Sequence, residues 1–419
     1  MTGVSAAVGG VRTFTLHRQQ GYGVLYLLLA VVIVVFFGQV APGAQTTFGM
    51  SVGGTTVPDL VVPSAPTAYL LAALAAMAGV IQLTRGFGAL SGIVLAVVIS
   101  GFAFAFLTWA ASGGSMSLAG VLQTSLQRSV PITFGAMSGI LCERAGVVNI
   151  AIEGMLLSGA FVSAVVASAA HNPWIGIAAA MIVGALLAGL LAVLAIRYLV
   201  DQIIAGVVIN ILVVGITSFL SARVLAKLPD LNNPERFDPI AVPFLSGIPL
   251  IGGIFFNQNF FVYACIACIF ILHFMLFATR WGLRVRAVGE HPLAAETVGI
   301  NVLFVRYRNV IIAGALAGLG GAYFTIGSTG SFDQEMTAGR GFIGLAAMIF
   351  GGWAPFGAFL AGIVFGFAEA VGYRLSILGI GPPSQFLQMV PYLVTVIVVA
   401  GLVGRVRAPA ADGRPYKKE

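Results

Sequence analysis

The chain has 419 residues, of which 59% are hydrophobic and 8% are charged, with a formal net charge of +7. Soluble domains contain about 45–50% apolar and about 25% charged residues, so this composition excludes a soluble globule or soluble enzyme. The basic residues flank apolar segments, which is typical of membrane proteins and is not the pattern of a nucleic-acid-binding protein. Most of the chain is therefore predicted to lie in a lipid bilayer.

Segments that are apolar on every face predict transmembrane α-helices. Residues 24–40 and 178–195 lack the alternation of apolar and polar residues that a β-barrel strand requires. A spanning helix needs about 20 residues, so we expect an all-α polytopic bundle of about 10–12 spans. Basic residues in both end segments, 1–22 and 405–419, place both termini in the cytoplasm under the positive-inside rule.

The N-terminal part of the chain contains three predicted spans. Residues 1–22 are interpreted as a cytoplasmic tail that precedes a retained membrane anchor. The spans lie near Gly23–Val40, Thr67–Leu83 and Phe87–Ala110. No recognisable motif falls within residues 23–117, so we treat these spans as a separate N-terminal region.

Residues 118–404 form the predicted core, in which polar residues interrupt several spans. The predicted spans are Leu118–Cys142, Val147–Ala169, Trp174–Arg197, Ile203–Leu220, Phe260–Thr279, Val310–Ile326, Gly341–Trp353, Phe356–Val371 and Phe386–Val403. Residues 221–257 have balanced charge and several prolines, which favours an external loop. The run 341–353 is too short to cross a bilayer straight, so it is either a broken helix lining a cavity or a short helix buried by protein.

The loop of residues 280–308 carries five arginines and is expected in the cytoplasm. Within it, residues 289–302 predict a short helix, with Pro292 in its first turn and Gly299 at its end. Two carboxylates flank a pair of small alanines, a surface suited to the docking of another protein; an ordinary amphipathic loop helix is the alternative. The residues concerned are Gly289, Glu290, Pro292, Ala294, Ala295, Glu296 and Gly299.

Two segments carry a resemblance to a known family. Residues 289–302 resemble the coupling-helix loop of ABC importer permeases, in the branch that serves branched-chain amino acids, simple sugars and nucleosides. Residues 139–155, with the sequence GILCERAGVVNIAIEGM, are similar to the signature of the sugar and nucleoside group, and most similar to its nucleoside-uptake permeases. The segments 201–210, 339–353 and 357–370 also fit, so the resemblance covers about residues 118–404.

The resemblance implies a permease subunit in the plasma membrane that moves a small polar solute, nucleosides ahead of simple sugars, by alternating access. It implies a second permease, identical or homologous, and an ATP-binding subunit docked on the seven coupling residues. It also implies an extracytoplasmic substrate-binding lipoprotein. The sequence has no GxxxxGK[ST] phosphate loop, so ATP and Mg²⁺ are expected on the partner subunit, with no cofactor or metal on this chain.

Polar residues inside the apolar segments are candidates for the translocation pathway, because an ionisable group at membrane depth costs about 3 kcal/mol on insertion scales. The candidates are Asn149, Glu153, Gln202, Asn210 and Glu369. Asn149 and Glu153 are four residues apart and would share one helix face. The alternative is a structural clamp, in which Glu153 pairs with Arg128 or Arg144 and the amides form interhelical hydrogen bonds.

Two other functions compete with the ABC permease. An ion-coupled secondary transporter of a small polar solute would also use broken helices and buried carboxylates. A membrane-embedded enzyme would need a cluster of catalytic or metal-binding side chains, and no such spacing is present in the sequence.

Overall fold

The structure, a computed structural model, describes residues 18–54, 56–378 and 407–417. Nearly all regular secondary structure in these residues is helical, and nine of the described helices are long and apolar enough to cross a membrane. This confirms the predicted polytopic helical bundle. The predicted span at 386–403 and most of the predicted N-terminal tail lie outside the described residues.

The described residues form two compact units, and those of the first unit lie within residues 1–50 and 58–117. Its described elements are α1 (Arg18–Val32, extended by a π-helical turn at Ile33–Phe37), β1 (Gln45–Gly49), β2 (Leu60–Pro63), α2 (Ser64–Thr84), a 3₁₀ turn at Gly88–Leu90, α3 (Ser91–Ala110) and β3 (Ser115–Ser117). Strand β1 pairs antiparallel with β2 and parallel with β3.

Helix α2 shows the residue pattern of a helix surrounded by lipid. Ala68, Ala72 and Ala75 are buried along one face, whereas Leu70 and Leu74 are exposed on the other. Small inward residues let neighbouring helices approach closely, and large apolar outward residues are compatible with acyl chains. Hydropathy alone therefore identifies this span, and the small residues identify its inner face.

The second unit contains residues 51–57 and 118–419. Its described helices are α4 (Leu118–Glu143), α5 (Ile152–Ala170), α6 (Pro173–Ala192), α7 (Gln202–Leu220), α8 (Ile251–Phe255), α9 (Phe260–Ala278), α10 (Arg280–Glu290), α11 (Pro292–Thr297), α12 (Val302–Phe324), α13 (Arg340–Phe350) and α14 (Pro355–Leu378). Helices α6, α7 and α12 continue as π-helical turns at Val193–Arg197, Ser221–Leu225 and Thr325–Thr329. The predicted external loop contains a 3₁₀ turn, Pro229–Asn232, and two short strands, β4 (Ile240–Ala241) and β5 (Asn257–Gln258), that pair antiparallel.

Helices α5 and α12 form the inside of this unit. In their most apolar stretch of 18 residues, 78% and 72% of the residues are buried, whereas the value is 33% for α6, α7 and α9. Glycines allow the close contacts between them. Gly184 of α6 lies against the Gly314 carbonyl of α12, and Gly318 of α12 lies against the Ala180 carbonyl of α6. Gly159 of α5 also packs against Gly318. The backbones meet where a side chain would prevent contact.

We expect Gly184→Ala to destabilise the protein, because an added Cβ would overlap the Gly314 carbonyl oxygen. Overpacking of this kind costs about 1–3 kcal/mol. Gly189→Ala in the same helix is the matched control, since nothing lies within 4 Å of a Cβ there. Thermal unfolding in detergent should give a lower midpoint for Gly184→Ala alone; equal midpoints for the two variants would contradict this packing.

Candidate functional site

The signature segment enters α5 through a turn that Asn149 holds. Its Oδ1 accepts a hydrogen bond from the Ala151 N–H at 3.1 Å, and the side chain is fully buried. Helix α5 begins at Ile152, so Asn149 precedes the helix. The prediction that Asn149 shares a helix face with Glu153 is therefore wrong, because the chain turns before the helix starts.

Two buried side-chain amides of helix α7 form hydrogen bonds with backbone groups of this turn. They belong to Gln202 and Asn210, and we call them the amide brace. Gln202 Oε1 accepts from the Val148 N–H at 2.7 Å. Asn210 Oδ1 accepts from the Gly154 N–H at 2.8 Å, and its Nδ2 donates to the Ile150 carbonyl at 2.8 Å. Backbone groups that lose their helical partners inside a membrane protein need substitutes of this kind. Both amides therefore bind backbone groups of the chain itself.

Glu153, one residue into α5, binds the start of a different helix. Its carboxylate accepts hydrogen bonds from the Thr337 hydroxyl at 2.6 Å and from the N–H groups of Gly339 and Gly341 at 2.8 and 2.6 Å. The last two groups belong to the N-terminus of α13, where the helix dipole favours a negative charge. Glu153 therefore caps α13 from outside that helix.

The predicted pairing of Glu153 with Arg128 or Arg144 does not form. Arg128 lies near the middle of the 26-residue helix α4 and contacts Glu369 of α14, with 3.4 Å between Nη1 and Oε2. Arg144 donates to the carbonyls of Gly352 and Trp353. The N-terminus of α13 supplies enough donors for Glu153 to be satisfied without a cation.

Glu369 binds two arginines, and we call Arg128, Arg340 and Glu369 the charged cluster. Arg340, the first residue of α13, places Nε and Nη2 at 3.1 and 2.9 Å from Glu369 Oε2. The side chains keep exposures of 27% for Arg128, 19% for Arg340 and 11% for Glu369. The cluster carries one net positive charge. Charged groups in a membrane protein face water or protein because lipid does not solvate them.

Sequence reasoning did not select Arg128 and Arg340 as site residues. Both are cations inside or directly beside an apolar segment, and this is the criterion by which Glu369 was selected.

The carboxylates of Glu153 and Glu369 bind the same short segment, residues 337–341. Glu153 binds Thr337, Gly339 and Gly341, and Glu369 binds Arg340.

Helix α13 is a half-length helix buried against α4. It has 11 residues, or about 16 Å at 1.5 Å per residue, about half of a hydrocarbon core. Gly135 of α4 faces Gly341 and Gly344 of α13, so the N-terminus of α13 lies beside the second half of α4. The predicted short run is thus a helix that begins inside the bundle.

The far end of α13 is fixed to the turn that follows α4. Glu143 Oε2 accepts from the Trp353 indole N–H at 2.6 Å, and Arg144 holds the neighbouring carbonyls. The Arg144 carbonyl in turn lies against Gly289 of α10. A continuous set of contacts therefore connects the charged cluster to the loop of residues 280–308.

The loop of residues 280–308 contains α10, α11 and the start of α12, so the single helix predicted at 289–302 is wrong in its bounds. Gly289 and Glu290 end α10, and the chain turns at His291, whose Nδ1 accepts from the Ala294 N–H at 3.1 Å to cap α11. Pro292 is the first residue of α11, as predicted. Gly299 follows α11 with φ of +82°, a conformation that favours glycine.

The predicted coupling residues divide into exposed and buried sets. Glu290, Ala294 and Gly299 are exposed, and Pro292 and Glu296 are half-buried. Gly289 and Ala295 are buried, so the prediction that both alanines form the outer surface is wrong. A helix of six residues has one outer face, and Ala295 points to its inner side.

Two exposed apolar residues lie among these coupling residues, and sequence reasoning did not select them. Leu293 is 46% exposed and Val298 is 74% exposed. An apolar side chain within an arginine-rich loop would have been the criterion to select them. Among residues 18–54, 56–378 and 407–417, no group of three His, Cys, Asp or Glu side chains could hold a metal ion.

Comparison with known proteins identifies the family. Residues 121–399 match the family described as "Branched-chain amino acid transport system / permease component". The chain is 39% identical over 307 residues to the guanosine ABC transporter permease protein NupQ of Bacillus subtilis, covering 71% of this chain and 96% of the relative. The same figures hold for the nucleoside ABC transporter permease protein NupC of Lactococcus lactis. A putative glucose ABC transporter permease protein of Haloferax volcanii, TsgC13, is 30% identical over 324 residues, covering 72% and 98% of the two chains.

No solved structure matches the chain. The chain belongs to the branched-chain amino acid transport system permease family. It is an ABC permease subunit, a multi-pass protein of the plasma membrane, and a transport component rather than an enzyme. Such permeases work with an ATP-hydrolysing subunit and a second permease and bind no cofactor of their own. Family membership therefore favours ATP-driven over ion-coupled transport.

We expect Glu153→Gln to loosen the N-terminus of α13, because one accepting oxygen cannot satisfy the three donors that the carboxylate binds. Hydrogen bonds to charged groups contribute about 1.5–3 kcal/mol each. Glu335→Gln, at an exposed position of the same loop, is the control. Unfolding in detergent should show a lower midpoint for Glu153→Gln alone, and an unchanged midpoint would contradict the capping role.

Proposed function

We propose that the chain forms one half of the translocation path of an ATP-driven importer for nucleosides. Two relatives at 39% identity are permeases named for guanosine and for nucleosides, and a relative named for glucose is 30% identical. Simple-sugar import by the same mechanism is the second candidate. The residues 280–308 and both chain termini are cytoplasmic in this proposal, in accordance with the basic residues there.

The observation that carries the proposal is the charged cluster of Arg128, Arg340 and Glu369. It lies beside the middle of α4 and at the start of a half-length helix, and all three side chains remain partly exposed. Because lipid does not solvate charge, the exposed side faces a water-filled path or the second permease. Half-helix ends of this kind line substrate sites in other transporters.

The chemistry of the cluster suits a neutral, acceptor-rich solute. Two guanidinium groups share one carboxylate, so some of their N–H donors remain available to a solute. The net positive charge of the cluster disfavours the binding of a cation. Nucleosides offer base carbonyl, ring nitrogen and hydroxyl acceptors. In this proposal Arg128 and Glu369 contact the path, whereas Asn149, Glu153, Gln202 and Asn210 support its walls.

The ATP-binding subunit, which holds ATP and Mg²⁺, docks on the outer face of α11. Leu293 and Val298 supply apolar contact and Ala294 allows close approach, so an apolar cleft on that subunit is the matching surface. An extracytoplasmic substrate-binding lipoprotein delivers the solute.

The second permease is a homologous chain rather than a copy. Bacillus subtilis and Lactococcus lactis each have a second relative, NupP and NupB, at 25% and 24% identity to this chain. These values are well below the 39% of NupQ and NupC, so each pair contains one member more similar to this chain.

The complete complex, purified and reconstituted in vesicles, tests the function. We expect uptake of labelled guanosine that requires ATP, is competed by other nucleosides and is unaffected by an ionophore at constant ATP. Competition by glucose instead would favour the sugar transporter. Uptake that an ionophore abolishes while ATP is held constant would contradict ABC transport.

In the same assay, Arg128→Gln should lower guanosine uptake by about 10-fold or more, the effect of losing one charge-assisted hydrogen bond. The complex should still assemble, because Arg340 continues to pair with Glu369. Lys227→Gln, which removes an exposed cation elsewhere, is the matched control. Normal uptake by assembled Arg128→Gln complexes would show that the cluster does not contact the path.

Docking is tested by Leu293→Asp combined with Val298→Asp. Charges at these exposed apolar positions should abolish co-purification of the ATP-binding subunit, because burial of an unpaired carboxylate is costly. Phe244→Asp, at a 97% exposed position in the predicted external loop, is the control. Retention of the subunit by the double variant would exclude α11 as its docking surface.

A further inference from the structure

Residues 407–417, which we call the strap, pack against the loop of residues 280–308. The Ala411 N–H donates to the Gly289 carbonyl at 2.8 Å, and the Ala410 N–H contacts Glu290 Oε2 at 3.3 Å. The Tyr416 hydroxyl donates to the carboxylate of Glu296. The two carboxylates that sequence reasoning assigned to the partner subunit therefore bind the chain's own C-terminal segment.

A buried arginine holds the strap on its other side. Arg306 of α12 is 1% exposed, and its Nη1 donates to the Arg414 carbonyl at 3.1 Å. Its guanidinium also lies over the Tyr416 ring, 5.8 Å from the ring centre. A buried cation of this kind is tolerated only where carbonyls, rings or carboxylates compensate it. The strap supplies one carbonyl and one ring to Arg306, so it packs directly against α12.

The strap leaves the outer face of α11 open. It binds Glu290 and Glu296, whereas Leu293 and Val298 remain 46% and 74% exposed. A segment that blocked the ATP-binding subunit would cover these apolar side chains. The geometry therefore corresponds to a segment that holds α11 in place.

We propose that the strap positions α11 for the ATP-binding subunit, with Tyr416 as the positioning residue, because its hydroxyl binds Glu296 of α11 while its ring lies against Arg306 of α12. This inference rests on the proposed docking of that subunit to α11.

The first experiment measures hydrogen exchange of residues 289–300 in the full-length chain, which requires no partner. We expect Tyr416→Phe to speed exchange there by about 10-fold, since it removes a hydrogen bond to a carboxylate. Tyr198→Phe, at an exposed tyrosine outside the strap, is the control. Glu296→Gln keeps an accepting oxygen and should retain most of the protection, whereas Glu296→Leu should not. Unchanged exchange in Tyr416→Phe and Glu296→Leu would overturn the strap.

The second experiment measures guanosine uptake and ATP hydrolysis by the reconstituted complex. Tyr416→Phe should retain the ATP-binding subunit but transport less per ATP.

The outcomes separate the two proposals. If exchange changes in Tyr416→Phe while uptake per ATP stays at the wild-type value, the strap has no positioning role. If the wild-type chain captures no ATP-binding subunit, the proposed docking fails, and the hydrogen-exchange result still decides whether residues 407–417 hold α11.

Discussion

The carboxylate of Glu153 on the N-terminus of α13 is the contact on which the rest of the core depends. A helix that begins inside a membrane protein leaves backbone N–H groups without partners, and lipid supplies no acceptor. Glu153 accepts from two of these groups and from Thr337, and the amide brace does the same for the turn before α5. Because these polar side chains already have backbone partners, the partly exposed charged cluster stands out as available for solute.

Helix α13 also connects the two ends of the proposed transport cycle. Its first residue, Arg340, belongs to the charged cluster, and the turn after it binds Glu143 and Arg144. Arg144 contacts Gly289, the point at which the strap also attaches. Displacement of α11 by a partner would thus reach the cluster through one short helix and a few hydrogen bonds, without rearrangement of the long spans.

Hydropathy and charge were sufficient to predict the helical bundle, because an apolar run of about 20 residues has few alternatives in lipid. The place of Pro292 in the first turn of a helix was also predictable, because it depends only on neighbouring residues in the sequence. The partners of Asn210 and Glu369 were not, since their contacts join residues 56 and 29 positions apart. The strap had the sequence of an ordinary basic tail, because its attachment depends on single contacts made by Ala411 and Tyr416, which leave no periodic pattern.

The glycine contacts among α5, α6 and α12 have a mechanical consequence. Backbones packed this closely at Gly159, Gly184 and Gly318 leave no side-chain layer that could slide, so the three helices should move as one rigid body during alternating access. The shape of the path would then change through the elements packed around this three-helix frame, while the frame itself stays constant.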